Sequence, residues 1–140
     1  MYDPLARFVA AQADIWNIAL AELNAGAKRT HWMWFVFPQL AGLGHSATAR
    51  HYAIRDRAEA RAYLAHPLLG PRYLAAVEAV RAHAGTPAEA ILGGVDALKL
   101  RSSLTLFARA GAPPEVAETL AAFYPGEDPA TLRLLEQAAD

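Results

Sequence analysis

Residues 3–26 read DPLARFVAAQADIWNIALAELNAG, and the spacing of apolar side chains in this stretch decides the fold class. Leu5, Phe8, Val9, Ile15, Trp16, Ala19, Leu20 and Leu23 recur at intervals of three and four, with Gln12 among them. At 3.6 residues per turn this places them on one stripe of a helix. Asp3 supplies a capping oxygen ahead of Pro4, a residue suited to the first helical turn, and Gly26 permits the left-handed conformation that ends a helix. One amphipathic helix is predicted across the whole stretch.

The same punctuation recurs outward from this stretch, at Thr86-Pro87 and Asp128-Pro129. Thr30 is placed to cap a short helix over residues 31–37 that Pro38 ends, although a buried strand is the rival reading of so apolar a run. Gly42 and Gly44 mark a turn, Ser46 can cap a helix toward Tyr52, and Asp56 can cap another that runs to His66 and stops at Pro67. Pro71 opens a longer helix with Tyr73, Val77, Val80 and Ala84 on one face, and Thr86 starts a brief one ending near Gly93. Asp96 is expected to cap residues 97–110. Beyond the Gly111 and Pro113-Pro114 interruption, Val116, Leu120, Phe123 and Tyr124 face inward, and Leu132 and Leu135 anchor a last helix. No alternating strand pattern and no repeat is present. The expectation is an all-α chain: an irregular bundle of about eight short to medium helices, one domain over residues 1–140.

Composition narrows the function classes. Of 140 residues, 54% are hydrophobic and 19% charged, so a core is available and disorder is not expected. Alanine is the commonest residue, which favours helix because it loses no side-chain entropy there. Thirteen Lys and Arg against 14 Asp and Glu leave a net charge of −1, which offers no field for a phosphate backbone, so no nucleic-acid partner is expected. The absence of cysteine excludes disulfides, thiol nucleophiles and thiolate metal sites and fits a reducing, cytoplasmic setting. The opening Met1-Tyr2-Asp3-Pro4 lacks a basic then apolar leader, and no run is long enough to span a bilayer, so no membrane association is expected. The five histidines fall in no HExxH or three-ligand spacing, and Gly42-Leu43-Gly44 is too short for a phosphate loop, so neither a metal nor a cofactor is expected. Exposed or helix-capping histidines are the default. With no heptad pattern, a monomer is expected.

Two segments depart from ordinary amphipathic helix. Residues 28–40 read KRTHWMWFVFPQL, placing two tryptophans and two phenylalanines just after Lys28 and Arg29 and beside His31. They can form an aromatic wall with polar groups at one end, in which Trp34 and Gln39 contact a ligand; the commoner reading of such a cluster is core. Residues 96–107, DALKLRSSLTLF, alternate cations and hydroxyls with leucines on what should be a central helix whose packed face is Leu100, Leu104 and Phe107. Lys99 and Ser103 stand one turn apart, as a lysine base and a serine nucleophile would. That spacing is common on any helix, and Ser102, Ser103 and Thr105 more often serve close packing or bond to the preceding turn. Lys99, Arg101 and Ser102 can also hold an anion together with Lys28 and Arg29.

The pieces HWMWFVFPQLAGLG at residues 31–44, AHPLLGPR at 65–72 and DALKLRSSLTLF at 96–107 together resemble a bacterial family of small proteins classed as a domain of unknown function. The likeness extends to the opening Asp3-Pro4 helix and to the closing Asp128-Pro129, so it covers nearly the whole chain. It implies an all-helical domain and no particular activity. Some members of that family carry the label calpastatin, but calpastatin is a disordered protease inhibitor and this hydrophobic, regularly punctuated chain does not fit that description.

Two functional readings follow. In the first, the chain is a helical binding or interaction module in which an exposed part of the residue 32–37 cluster docks a protein partner or a small anionic ligand. In the second, it is an enzyme for an anionic, phosphorylated or nucleotide-like substrate, with a cleft between residues 31–39 and 99–105. His31 would be acid or base there, Lys99 and Arg101 would hold the anion, and Gln39 or Ser103 would orient it. An enzyme needs His31, Lys99 and Ser103 to converge on a concavity; a module needs side chains presented outward.

Overall fold

The computed structural model describes residues 3–137; Met1 and Tyr2, part of the argument against a leader, lie outside the described residues. Among the described residues there are ten helices rather than about eight, and no strand beyond an isolated bridge between Leu40 and Ile54. In chain order they are α1 (Ala6–Gln12), α2 (Trp16–Ala25), α3 (Met33–Val36), α4 (Ala47–His51), α5 (Arg57–Ala65), α6 (Leu69–Arg81), α7 (Ala88–Leu92), α8 (Gly94–Arg109), α9 (Pro114–Phe123) and α10 (Pro129–Gln137).

The extra helices come from breaks. The opening helix is divided because Ala13 and Ile15 donate to Ala10 and Gln12, three residues back, so the chain tightens and restarts at Trp16. The stripe survives the break: Leu5, Phe8, Gln12, Ala19 and Leu23 are all buried. Gly26 ends α2 at a φ of 72°, as expected, with His83 Nε2 donating to the carbonyls of Leu23 and Asn24 at 3.0 and 3.1 Å. The helix expected over residues 31–37 shortens to the single turn α3, and Thr30 does not cap it, because its hydroxyl donates to Glu22 instead. Thr86 makes no side-chain cap on α7. Asp96 is not a cap either: Gly93, at a φ of 88°, turns α7 into α8, so α8 starts earlier and Asp96 sits inside its first turn. Ser46 and Asp56 cap α4 and α5 through the amides of Ala49 and Glu59, as expected. His66 caps α6, its Nδ1 accepting from Leu68 and Leu69.

Helix α8 is the centre. Ser102 to Phe107 are buried without a break, which a helix achieves only when neighbours cover it on all sides, and α5, α7, α9 and α10 all pack against it. The buried apolar residues form one cluster, to which every helix except α4 contributes. Its middle is aromatic: the rings of Tyr73 and Phe107 lie 4.2 Å apart, and Tyr63 meets Phe8 edge-on at 5.1 Å.

Candidate functional site

The segment before α3 is tied down by one carboxylate. Glu22 Oε1 accepts from the Arg29 and Thr30 amides at 2.8 and 3.0 Å and from Trp32 Nε1 at 2.9 Å, while Oε2 accepts the Thr30 hydroxyl at 2.8 Å. Burial by itself pushes this acid upward, but the four hydrogen bonds more than reverse it and hold Glu22 at about 2. The Lys28 amide donates to Ile91 O at 2.8 Å, which fixes the same segment to the end of α7. Lys28 is thereby brought to the start of α8.

There the Asp96 carboxylate meets two ammonium groups, Lys28 Nζ at 2.8 Å on Oδ2 and Lys99 Nζ at 3.6 Å on Oδ1. Each lysine also faces an indole: Lys28 lies 5.1 Å from the Trp32 ring centroid and Lys99 lies 4.4 Å from that of Trp34. Two cations sharing one anion leave the cluster one positive charge. Lys28 is the shielded member, its side chain 8% exposed; Lys99 reaches solvent, and among the described residues its ammonium has no hydrogen-bond acceptor at normal distance.

Two of the three large hydrophobic side chains that stand exposed in the described residues lie on the adjoining strip of α8. Val95 and Leu98 are 70% and 66% exposed and three residues apart, so they share one helix face. The aromatic run of residues 32–37 does not provide that surface. Trp32, Met33, Val36 and Phe37 are core, and Trp34 and Phe35 alone stay half-buried. Trp34 and Gln39 share, with Tyr52 and Ala53, a cleft of about 10 Å³, room for one water at most.

The remaining candidates are placed elsewhere. Ser103 is fully buried, its Oγ 3.0 Å from the Tyr73 hydroxyl, and burial pushes that phenol far above its ordinary value. Lys99 and Ser103 therefore make no pair in this structure. Arg101 donates to the carbonyls of Gly126 and Glu127 at 2.9 and 3.1 Å, and the Ser102 hydroxyl donates to Leu98 O and Asp128 Oδ2, so both fasten the loop between α9 and α10. His31 and Arg29 are exposed, and what Arg29 gives the local structure is its backbone amide. Of the nine predicted residues, Lys28, Lys99 and Trp34 come together, and they do so around Asp96. By sequence Asp96 reads as a helix cap, and its i,i+3 spacing to Lys99 is the local signal for the pair. Glu22 had none, because its partners lie across the Gly26 turn.

Among the described residues no three His, Cys, Asp or Glu side chains gather as a metal site would need, and no helix is long and apolar enough to cross a membrane. Residues 2–135 match the family model described as "Protein of unknown function (DUF1810)". No curated protein matches the chain. The fold is similar to the crystal structure of the conserved hypothetical protein Rv1873 from Mycobacterium tuberculosis, with a TM-score of 0.93 and 51% sequence identity over 96% of this chain and 99% of that one.

Proposed function

Because the chain belongs to this family of proteins of unknown function, its role has to come from its own surface, and we propose that it is a helical interaction module that binds an acidic, amphipathic segment of a partner protein at the start of α8. The observation that carries this reading is the juxtaposition of Val95 and Leu98, largely solvent-exposed, with the Lys99 ammonium, which is only loosely paired with Asp96 in a cluster that keeps one positive charge. A contiguous apolar strip costs free energy in water and gains on being covered, and a cation beside it selects what covers it. The complementary surface carries leucine-like side chains one helical turn apart with a carboxylate beside them.

The rival reading, an enzyme for an anionic substrate, draws less support. Its nucleophile candidate, Ser103, is occupied in the core, Arg101 is spent on backbone carbonyls, and His31 is exposed with no acid, base or hydroxyl partner among the described residues. Peptide selection from a random helical library displayed against the purified full chain tests the proposal. Enriched sequences should be acidic and amphipathic, and binding should be lost in Leu98→Asp and weakened by Lys99→Gln. Selected peptides that bind Leu98→Asp and wild type equally, or a library that enriches nothing, would overturn the reading.

A further inference from the structure

A second surface, built from other elements, has a different chemistry. The start of α1, the end of α4 and the segment leading into α5 border an open groove of about 630 Å³, lined by Asp3, Arg7, Arg50, His51, Arg55 and Glu59 together with small apolar residues. Arg7 forms its back wall and is engaged through all three of its nitrogens. Its Nε donates to His51 O at 2.8 Å, one terminal nitrogen donates to Pro4 O, and the other donates to Ala53 O at 2.7 Å and Glu59 Oε1 at 3.1 Å. The Glu59 carboxylate, 4% exposed, accepts at Oε1 from Arg7 and from the Arg55 amide at 2.9 Å, while its Oε2 faces the Arg55 guanidinium at 3.6 Å. The rigid wall is therefore electrically balanced.

The rim is not balanced. The Arg55 side chain is 69% exposed and only loosely paired with Glu59, at 3.6 Å, and Arg50 is exposed with no side-chain partner among the described residues. Three guanidinium groups against the Asp3 and Glu59 carboxylates leave one positive charge with His51 neutral. Asp3 already has one oxygen committed, to the Leu5 amide at 3.0 Å. Two guanidinium forks without strong acceptors on one groove, in a chain of net charge −1, mark a local anion site and not a general polyanion surface.

We propose that this groove binds a phosphate monoester. A phosphoryl group presents three terminal oxygens and close to two negative charges, one oxygen and about one charge more than a carboxylate, so it is the better match for Arg50 and Arg55 together. The Asp3 carboxylate at the rim opposes a longer polyphosphate, and Pro4, Ala6 and Ala53 offer apolar walls to the carbon skeleton of the ester.

Isothermal titration of the full chain with glucose 6-phosphate, inorganic phosphate, citrate and glucose tests this, in wild type and in Arg50→Ala, Arg55→Ala and Lys99→Gln. Both arginines are exposed, and circular dichroism confirms that the variants stay folded. Glucose 6-phosphate should bind saturably, phosphate more weakly and glucose not at all. Each arginine variant should lose about ten-fold or more in affinity, the loss expected on removing a charge-assisted pair of hydrogen bonds. Lys99→Gln should bind like wild type. Absence of glucose 6-phosphate binding, affinity unchanged in the arginine variants, citrate binding as tight as the ester, or a loss confined to Lys99→Gln would each overturn the assignment.

Discussion

Replacing Glu22 by glutamine keeps the shape of the side chain and removes its charge, which isolates what the carboxylate does for the segment before α3. In the wild type its oxygens accept four hydrogen bonds, one of them from the indole of fully buried Trp32. Its folded pKa is depressed from 4.5 to about 2. A depressed acid contributes stability that is fully present above its unfolded pKa and is lost as pH falls through the folded one. A displacement of that size is worth about 3 kcal/mol in an unscreened site, and solvent contact at this half-buried carboxylate brings the expected figure to about 1–2 kcal/mol. Urea unfolding of wild type and Glu22→Gln at pH 7 should therefore show the variant less stable by about that amount. At pH 3 more than half of the difference should have gone, because the unfolded wild-type carboxyl is then protonated while the folded one is still ionised. Glu22→Ala should cost more, about 2–4 kcal/mol, since it also strands the Trp32 indole N–H in the core. A Glu22→Gln difference that is the same at pH 7 and pH 3 would refute the account, as it would show that shape and not charge holds the segment.

Two further outcomes are expected. Gly70→Ala puts a methyl carbon 2.0 Å from the Leu64 carbonyl oxygen, which belongs to backbone and cannot swing aside. The melting temperature should fall by roughly 10 °C, from a loss of about 3 kcal/mol, and a change within about 2 °C would show that α5 and α6 can separate at that point without cost. Ser103→Ala should cost about 1–3 kcal/mol by stranding the buried Tyr73 hydroxyl, and adding Tyr73→Phe should restore part of it. A double variant no more stable than Ser103→Ala in chemical denaturation would place the loss in packing and not in the hydrogen bond.

The candidate surfaces were legible unevenly. Segments 28–40 and 96–107 were marked as unusual by composition alone, and Lys28, Trp34 and Lys99 do meet where those segments approach each other. Their meeting point, Asp96, read as a cap because an aspartate after Gly93-Gly94 has the local pattern of one. The arginine groove left no trace in the sequence reading, because Arg7 is separated from Arg50 and Arg55 by more than forty residues and arginines scattered among alanines look like solvated helix faces.

What the sequence determined by itself is what depends on near neighbours. Three- and four-residue spacing made the chain all-helical, Gly26 ended α2, Ser46 and Asp56 began α4 and α5, and six successive residues of α8 were apolar, small or hydroxylated enough to be enclosed. Only the tertiary structure decided which side chains of a favourable spacing face each other. Lys99 and Ser103 are neighbours on the helix surface, yet one turns to Asp96 and Trp34 at the rim and the other to Tyr73 in the core. The direction in which a helix is rolled against its neighbours is set by packing from all sides at once, and no local stretch of residues carries that information.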